Sequence, residues 1–281
     1  MDILRYTPSF MSTFIFWPRI KVGVTGKTKL FAIIGDPVEG VVSPPSINAW
    51  FNANGIDACM MPLNIPATNI ASFWDLQRAS NSFLGCSITY PHKQSAFAQV
   101  DTLTARATRL GALNTVRRED DGSLCGDATD GTALLQAIAG AEVGVYGASV
   151  QIKGAGGGAG RAIVDALCQA GAAQVILEDA DETRLAQTVS LVERFWPNTS
   201  IGDGGPADIL IDATPNGKNA NAAPLFSLHV VSSCKAVCDI AGQHGESQFL
   251  KTAEQMKKIA IDAEDMGRCQ VEAQMAFLFR D

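Results

Sequence analysis

Side chains that bind transition metals are scarce in this sequence. It has three histidines among 281 residues, and its seven cysteines are scattered, odd in number and free of any C-x-x-C pair. This pattern gives no disulfide framework and favours a reducing cytoplasm. Cys234 and Cys238 could face each other on a helix. Without a histidine cluster, however, they are better interpreted as buried thiols in or beside a strand, and we predict no metal site.

Excess positive charge and long apolar runs are also lacking. The formal net charge of −7 argues against nucleic acid or an acidic membrane surface as the main partner. The apolar stretch at 10–17 is far shorter than the roughly 20 residues that span a bilayer. The same segment has no clear signal-peptide cleavage site. We therefore predict that residues 1–28 are an N-terminal extension and that the partner is a small molecule, with no nucleic acid and no membrane.

The apolar runs alternate between strand and helix patterns. Strand patterns at 30–35, 58–63 and 83–89 are separated by helical patterns at 46–54 and 70–80, and a hairpin is predicted around Asp120-Asp121-Gly122. After a helix at 132–138 the alternation resumes, with further strands at 174–177, 208–213 and 236–240 and helices at 246–257 and 271–279. This rhythm predicts an α/β fold, with a parallel or mixed sheet followed by a Rossmann-type dinucleotide-binding domain.

A glycine-rich run lies between an apolar strand and a helix in the second half of the chain. It reads Gly154-Ala155-Gly156-Gly157-Gly158-Ala159-Gly160-Arg161. Glycines in this position let the backbone turn and approach a pyrophosphate at the helix N-terminus. Two registers fit, Gly154-x-Gly156-x-x-Ala159 and Ala155-x-Gly157-x-x-Gly160, and a glycine turn without a ligand is the alternative. The predicted cofactor-binding residues here are Gly154, Gly156, Gly157, Gly158 and Ala159.

Carboxylates follow the next strand, at Glu178, Asp179 and Asp181. A carboxylate at the end of the second strand of a dinucleotide-binding unit accepts a hydrogen bond from a ribose 2′-hydroxyl. It would repel a 2′-phosphate. Asp179 is therefore the predicted ribose ligand and favours NAD over NADP, although a solvated acidic turn would look the same in sequence.

One lysine and one aspartate stand among small polar side chains at loop positions. Lys93 follows a predicted strand, and Thr89, Asn114 and Asp130 also lie at strand or loop ends, where α/β sheets gather ligands. An ammonium beside a carboxylate can hold a substrate hydroxyl and exchange its proton while hydride leaves the same carbon. A solvated surface lysine is the alternative. With the glycine run, these residues predict a hydride-transferring enzyme for a small polyhydroxylated acid.

A set of short motifs extends from about residue 29 to residue 279. Besides the glycine run, they are Gly35-Asp36-Pro37, Ser43-Pro44 with Asn48, Thr89-x-Pro91-His92-Lys93, Gly111-Ala112-x-Asn114-Thr115-Val116, Gly126-x-x-Thr129-Asp130-Gly131, Ala213-Thr214-Pro215-x-Gly217, Asp239, Glu246 and Gln274. Together they resemble the shikimate dehydrogenase family, which includes the quinate/shikimate dehydrogenases.

The resemblance implies reversible oxidation of a ring hydroxyl of shikimate or quinate to the 3-dehydro ketone, with NAD or NADP. Lys93 and Asp130 match the catalytic pair. The substrate-holding positions are matched by Ser43, Thr89, Asn114 and Gln274, and Thr214 matches a cofactor-binding position. Gln274 is preferred to Gln270 because Gly267-x-x-Gln270-Val271-x-x-Gln274 fits the family's closing helix.

The resemblance also implies a domain organisation. A substrate domain (29–131) and a dinucleotide-binding domain (132–258) enclose a cleft, and a C-terminal helical segment (259–281) returns to the first domain. A monomer or a homodimer is expected.

Several positions depart from the family pattern. Val41 replaces a serine that would bind the substrate carboxylate, and Ala180 stands where members that prefer NADP carry an arginine. The other departures are Ile47, Ser87, Ala128 and Ala241-Gly242. They reinforce NAD and leave two alternatives open, a shikimate dehydrogenase-like paralogue with another substrate and a non-catalytic nucleotide-binding regulator. A methylene-tetrahydrofolate dehydrogenase is disfavoured by Thr214-Pro215-x-Gly217.

Overall fold

The structure, a computed structural model, describes residues 23–215, 225–241 and 247–280. Within these ranges the chain forms two six-stranded sheets, one after the other along the sequence. The predicted N-terminal extension lies largely outside the described residues. So do Gly217, Gly242 and Glu246, which belong to the sequence patterns above.

The first sheet is mixed. Its strands are β1 (Lys29–Gly35), β2 (Ala58–Asn64), β3 (Phe83–Ile88), β4 (Thr102–Leu103), β5 (Thr115–Arg118) and β6 (Leu124–Asp127). Their spatial order is β2-β1-β3-β5-β6-β4. Strand β1 is parallel to both of its neighbours, whereas β5 is antiparallel to β3 and to β6. Residues 31–35 of β1 are all buried, because both faces of this strand are covered, and its apolar run is therefore continuous.

Four helices accompany the first sheet, α1 (Ser43–Ala53), α2 (Ile70–Ala79), α3 (Ala105–Leu110) and α4 (Asp130–Gly140). The prolines Pro44 and Pro45 lie in the first turn of α1, where a backbone N–H has no partner within the helix to lose. Thr104 caps α3 by accepting a hydrogen bond from the Ala107 N–H. Helix α4 begins soon after β6, which places Asp130 at one edge of the sheet.

The second sheet is entirely parallel. Its strands are β7 (Ser149–Lys153), β8 (Gln174–Glu178), β9 (Ser200–Gly202), β10 (Ile209–Asp212), β11 (Ala236–Asp239) and β12 (Ile259–Ile261). The order β12-β11-β10-β7-β8-β9 is the 3-2-1-4-5-6 arrangement of a doubly wound dinucleotide-binding sheet. The helices are α5 (Gly158–Gln169), α6 (Glu182–Phe195), α7 (Leu228–Ser233) and α8 (Gln248–Gln255). The strand order reverses between β7 and β10, so a crevice opens at their carboxyl ends.

The last helix, α9 (Ala263–Phe279), returns to the first domain. It begins with a capping box in which Asp262 and Asp265 satisfy each other's backbone N–H groups. The helix packs against α4, α1 and β5. Three of its side chains join a core that includes Phe31 and Ile47, namely Val271, Met275 and Leu278. The predicted α/β architecture, with two domains and a returning helix, is confirmed.

An ion pair joins the two domains. Arg109 of α3 donates from Nε and Nη2 to the two carboxylate oxygens of Asp165 in α5, at 2.9 and 2.8 Å. The Asp165 side chain is 3% exposed, and Trp196 Nε1 also donates to it at 2.9 Å. This two-bond geometry holds α3 against the dinucleotide-binding domain.

The structure differs from the predicted elements at the shortest strands. The three-residue strand β12 pairs with β11, so the second sheet continues to Ile261, beyond the predicted boundary at 258. Helix α9 begins at Ala263 rather than at 271. Its first turns carry Glu264, Asp265 and Gly267, and the apolar spacing that predicts a helix starts only after them.

Candidate active site

Lys93 and Asp130 meet at one edge of the first sheet. Lys93 lies in the turn that follows β3, and Asp130 begins α4 after β6. Lys93 Nζ donates to Asp130 Oδ2 at 2.7 Å. The side chains are 31% and 14% exposed, respectively, so the pair is accessible yet partly shielded from water.

The other carboxylate oxygen of Asp130 is also engaged. Asn114 Nδ2 donates to Oδ1, and Gln270 Nε2 donates to the same atom at 3.1 Å. Asn114 is itself held, because its Oδ1 accepts from the Thr129 N–H at 2.8 Å. The carboxylate is therefore fixed in orientation through Oδ1, which leaves Oδ2 for the lysine.

The two glutamines of α9 occupy different depths. Gln270 contacts Asp130 and also donates to Thr129 Oγ1 at 2.9 Å. Gln274 is 4% exposed and donates to Thr115 Oγ1 at 3.2 Å, one layer behind the pair. The structure thus brings Gln270, rather than Gln274, into contact with Asp130. The substrate role of Gln274, chosen from the motif spacing, stays a prediction.

Of the other predicted substrate residues, two lie at the cavity that contains the ion pair and one does not. Thr89 and Asn114 line a cavity together with Lys93 and Asp130. Ser43 lies in the first turn of α1, outside that lining, and its Oγ is buried with no hydrogen-bond partner among the described residues. A substrate role for Ser43 stays a prediction.

The glycine run forms the turn between β7 and α5. Gly154 has φ +80°, a left-handed conformation that favours glycine. A side chain at Gly160 would collide with the Gly154 carbonyl oxygen, and one at Gly156 would come within 2.8 Å of the Arg184 backbone. The positions that require glycine are therefore 154, 156 and 160. The first two belong to one of the registers predicted from the sequence and Gly160 to the other.

The N-terminus of α5 faces the same cavity as the ion pair. Gly157 is its N-cap, and Gly158 and Ala159 form its first turn, where backbone N–H groups have no partners within the helix. The cavity, about 450 Å³, is lined by Gly156, Gly158 and Ala159 on one side and by Lys93 and Asp130 on the other. It can hold an anionic group at the helix end beside an alcohol at the ion pair.

Asp179 follows β8 and holds the glycine turn. Its Oδ2 accepts from the Gly156 N–H at 2.8 Å and its Oδ1 from the Asp181 N–H at 2.9 Å. Arg184 forms ion pairs with Asp179 at 3.3 Å and with Asp181 at 3.2 Å. Asp179 thus lies beside the glycines, and its role as a ribose ligand stays a prediction.

Thr214 follows β10 on the other side of the crevice. Its N–H and Oγ1 both donate to Asp212 Oδ1, at 2.8 and 2.6 Å. Burial raises the pKa of Asp212 above its usual range. A Cβ atom at Gly154 would lie 3.0 Å from the Thr214 methyl group, so Thr214 borders the glycine turn. Its cofactor-binding role stays a prediction.

Three residues of the site were not singled out from the sequence, Gln270, Arg161 and Arg184. Both arginines line the cavity. The signal for Arg161 is its position directly after the glycine run, and the signal for Arg184 is its place near the start of the helix that follows the acidic cluster.

The histidine next to Lys93 is buried. His92 is 2% exposed and its Nε2 lies 2.7 Å from the Ile65 carbonyl oxygen. Among the described residues, no three or more His, Cys, Asp or Glu side chains are arranged to hold a metal ion. Within that same part of the chain, no helix combines the length and apolar character needed to cross a membrane.

Comparison with known proteins agrees with this geometry. Residues 33–116 match the shikimate dehydrogenase substrate-binding domain. A shikimate dehydrogenase (NADP(+)) of Rubrobacter xylanophilus is 35% identical over 263 residues, which cover 90% of this chain and 92% of that protein.

Solved structures share the fold over nearly the whole chain. A shikimate 5-dehydrogenase from Listeria monocytogenes in complex with shikimate and NAD aligns with a TM-score of 0.84 at 23% identity, covering 92% of this chain and 94% of that one. A ligand-free 5-ketofructose reductase of a Gluconobacter species aligns with a TM-score of 0.83 at 24% identity, covering 92% and 95%. At these identities the likeness concerns the fold alone.

Proposed function

The chain belongs to the shikimate dehydrogenase family, and from this premise we propose that it is an NAD(P)-dependent oxidoreductase for a cyclic hydroxy acid. The reaction interconverts a ring hydroxyl of shikimate, quinate or a close relative with the 3-dehydro ketone. The observation that carries the proposal is the ion pair Lys93–Asp130, at 2.7 Å, in one cavity with the N-terminus of α5.

The ion pair supplies the proton chemistry. In the reductive direction Lys93 Nζ donates a proton to the oxygen of the carbonyl group as that carbon gains hydride, and in the oxidative direction Nζ takes the hydroxyl proton. Asp130 Oδ2 stabilises the ammonium form of the lysine, and Asn114 and Gln270 hold the carboxylate in place through Oδ1.

The residues around the glycine turn fit a dinucleotide. The free N–H groups at the start of α5 suit a pyrophosphate, and Asp179 suits a ribose hydroxyl. When bound, the nicotinamide ring accepts or returns the hydride. The cavity reaches from Gly156 and the first turn of α5 to Lys93, which is the continuity that hydride transfer requires.

We further propose that NAD is preferred to NADP. Ala180 offers no charge to a 2′-phosphate, and Arg184 is already paired with the carboxylates of Asp179 and Asp181. A 2′-phosphate would have to compete with both of them. The relative from Rubrobacter xylanophilus is named for NADP(+), so the ratio of kcat/KM for the two cofactors is the deciding measurement. We expect it to favour NAD by about tenfold or more, which corresponds to ~1.4 kcal/mol.

A second candidate is a polyhydroxylated substrate without a carboxylate, as expected of a paralogue within the family. Val41 motivates it, because an apolar side chain stands where a serine would bind the carboxylate, and Val41 is packed against the core that contains Phe31. An unpaired carboxylate oxygen in that position would weaken binding by about 1–3 kcal/mol.

The test is a steady-state panel that follows reduced nicotinamide. Shikimate, quinate and neutral polyols are offered with NAD and with NADP, and the ketones, including 5-ketofructose, with NADH and NADPH. Turnover of shikimate or quinate with the highest kcat/KM supports the hydroxy acid. A higher kcat/KM for a neutral polyol or ketose would select the second candidate. A purified protein that binds a dinucleotide but turns over no alcohol or ketone would refute both.

A further inference from the structure

Among the described residues, Arg161 forms no salt bridge with an acidic side chain. It lies at the end of the first turn of α5, is partly buried and lines the cavity. Its Nε is buried with no hydrogen-bond partner in the described part of the molecule, and Nη1 has only the neutral Gln187 Oε1, at 3.5 Å. Burial lowers the pKa of this guanidinium below its usual range.

The other cations of the cavity differ in this respect. Lys93 is paired with Asp130 at 2.7 Å, and Arg184 is paired with Asp179 and Asp181. A partly buried charge without a partner is costly unless a ligand of opposite sign supplies one. The place of Arg161 in the wall of the cavity therefore points to an anion in that cavity.

The backbone defines where that anion would lie. The Arg161 N–H donates to the Gly157 carbonyl oxygen at 2.8 Å, so Arg161 ends the first turn of α5. Residues three apart on a helix share a face, so Arg161 lies on the same face of α5 as Gly158, one turn further along. Gly158 and Ala159 line the same cavity as the guanidinium, so one ligand can contact both the helix end and the arginine.

We propose that Arg161 is the charged ligand of the cofactor's pyrophosphate, complementing the neutral N–H donors at the start of α5. The inference rests on the proposed dinucleotide site and adds a residue to it. Because NAD and NADP carry the same pyrophosphate, Arg161 contributes equally to both, independently of the choice made at Asp179 and Ala180.

The alternative anion is the 2′-phosphate of NADP, and the two sources have different consequences. A pyrophosphate ligand affects both dinucleotides by the same factor. A 2′-phosphate ligand affects NADPH alone. Comparing the two reduced cofactors on one variant therefore separates the two possibilities.

The experiment measures dissociation constants of NADH and NADPH by fluorescence titration of wild type, Arg161→Gln and Arg161→Lys. Arg194→Ala is the matched control, since Arg194 is an exposed arginine on α6 that does not line the cavity. Arg161→Gln should raise both constants by a similar factor of about 10–100, as expected for charge-assisted hydrogen bonds. Arg161→Lys should recover part of the loss, and Arg194→Ala should match wild type.

Several outcomes would overturn the inference. They are an unchanged NADH constant in Arg161→Gln with the melting temperature retained, a loss confined to NADPH, and an equal loss in Arg194→Ala. A wild type that binds NADH while Arg161→Gln binds it equally well refutes the role of Arg161 and leaves the proposed function intact. A wild type that binds neither dinucleotide refutes both.

Discussion

Replacing Lys93 removes the proposed proton donor but leaves the carboxylate of Asp130 fixed by its other hydrogen bonds. In Lys93→Ala, Asp130 keeps the hydrogen bonds from Asn114 and Gln270 to its other oxygen, so the local structure should persist. General acid–base catalysis contributes about 10²–10⁴ in rate, or ~3–5 kcal/mol of barrier. We expect kcat to fall by that factor.

The same structure predicts a small effect on stability. The Lys93 side chain is 31% exposed, and a partly solvated ion pair contributes about 1 kcal/mol or less. For a protein of this size, that corresponds to a melting-temperature change of no more than about 4 °C. Lys93→Arg retains the charge, but its guanidinium does not deprotonate near neutral pH, so its kcat should also fall while KM for the cofactor stays close to wild type.

The assay combines steady-state kinetics, NADH titration and thermal melting on the same preparations. Lys235→Ala is the matched control, because Lys235 forms an ion pair with Asp208 at 2.9 Å just before β11, at the end of the second sheet opposite the crevice. It should leave kcat unchanged. A near-normal kcat in Lys93→Ala, or an equal loss in Lys235→Ala, would refute the assigned chemistry.

Three further predictions follow from contacts in the structure. Gln270→Leu removes a donor to the proposed catalytic carboxylate and should lower kcat/KM by about 10–100-fold, several-fold more than Gln274→Leu. The reverse ranking would favour Gln274, the residue chosen from the motif spacing. Ala180→Arg should shift the ratio of kcat/KM for NADP over NAD upward by about 10–100-fold, and an unchanged ratio would contradict the proposed position of the 2′ group. Arg109→Met leaves the buried Asp165 without its ion-pair partner and should lower the free energy of unfolding, measured in urea, by about 3 kcal/mol. A double variant that also carries Asp165→Met should recover part of that free energy. If it recovers none, the unpaired charge is not the cause of the loss.

The sequence was most informative where one residue type has one structural meaning. The hairpin around Gly122 was predicted from its turn residues, and β5 and β6 pair antiparallel there, with Gly122 at φ +88°. The alternation of apolar runs with helical patterns gave the order of the main elements, because buried parallel strands need continuous apolar runs.

How deeply a side chain lies in the site, and where two backbone segments approach closely, were harder to predict. Gln270 and Gln274 are one helical turn apart on the same face of α9, so their spacing does not tell which of them reaches Asp130. Which positions of the glycine run require glycine depends on the carbonyl oxygen or helix backbone that an added Cβ would contact, and the sequence does not show these contacts. The strands β4, β9 and β12 have two or three residues, too few to show a period.

The return of α9 has a consequence for how the protein is made. Gln270, a donor to the central carboxylate, comes from the last helix in the described chain, which follows both sheets. Domains generally fold in the order in which they leave the ribosome. The first domain emerges early, but its cleft gains this amide only after the other domain has been synthesised, so the carboxylate acquires its full set of donors only when the last helix docks.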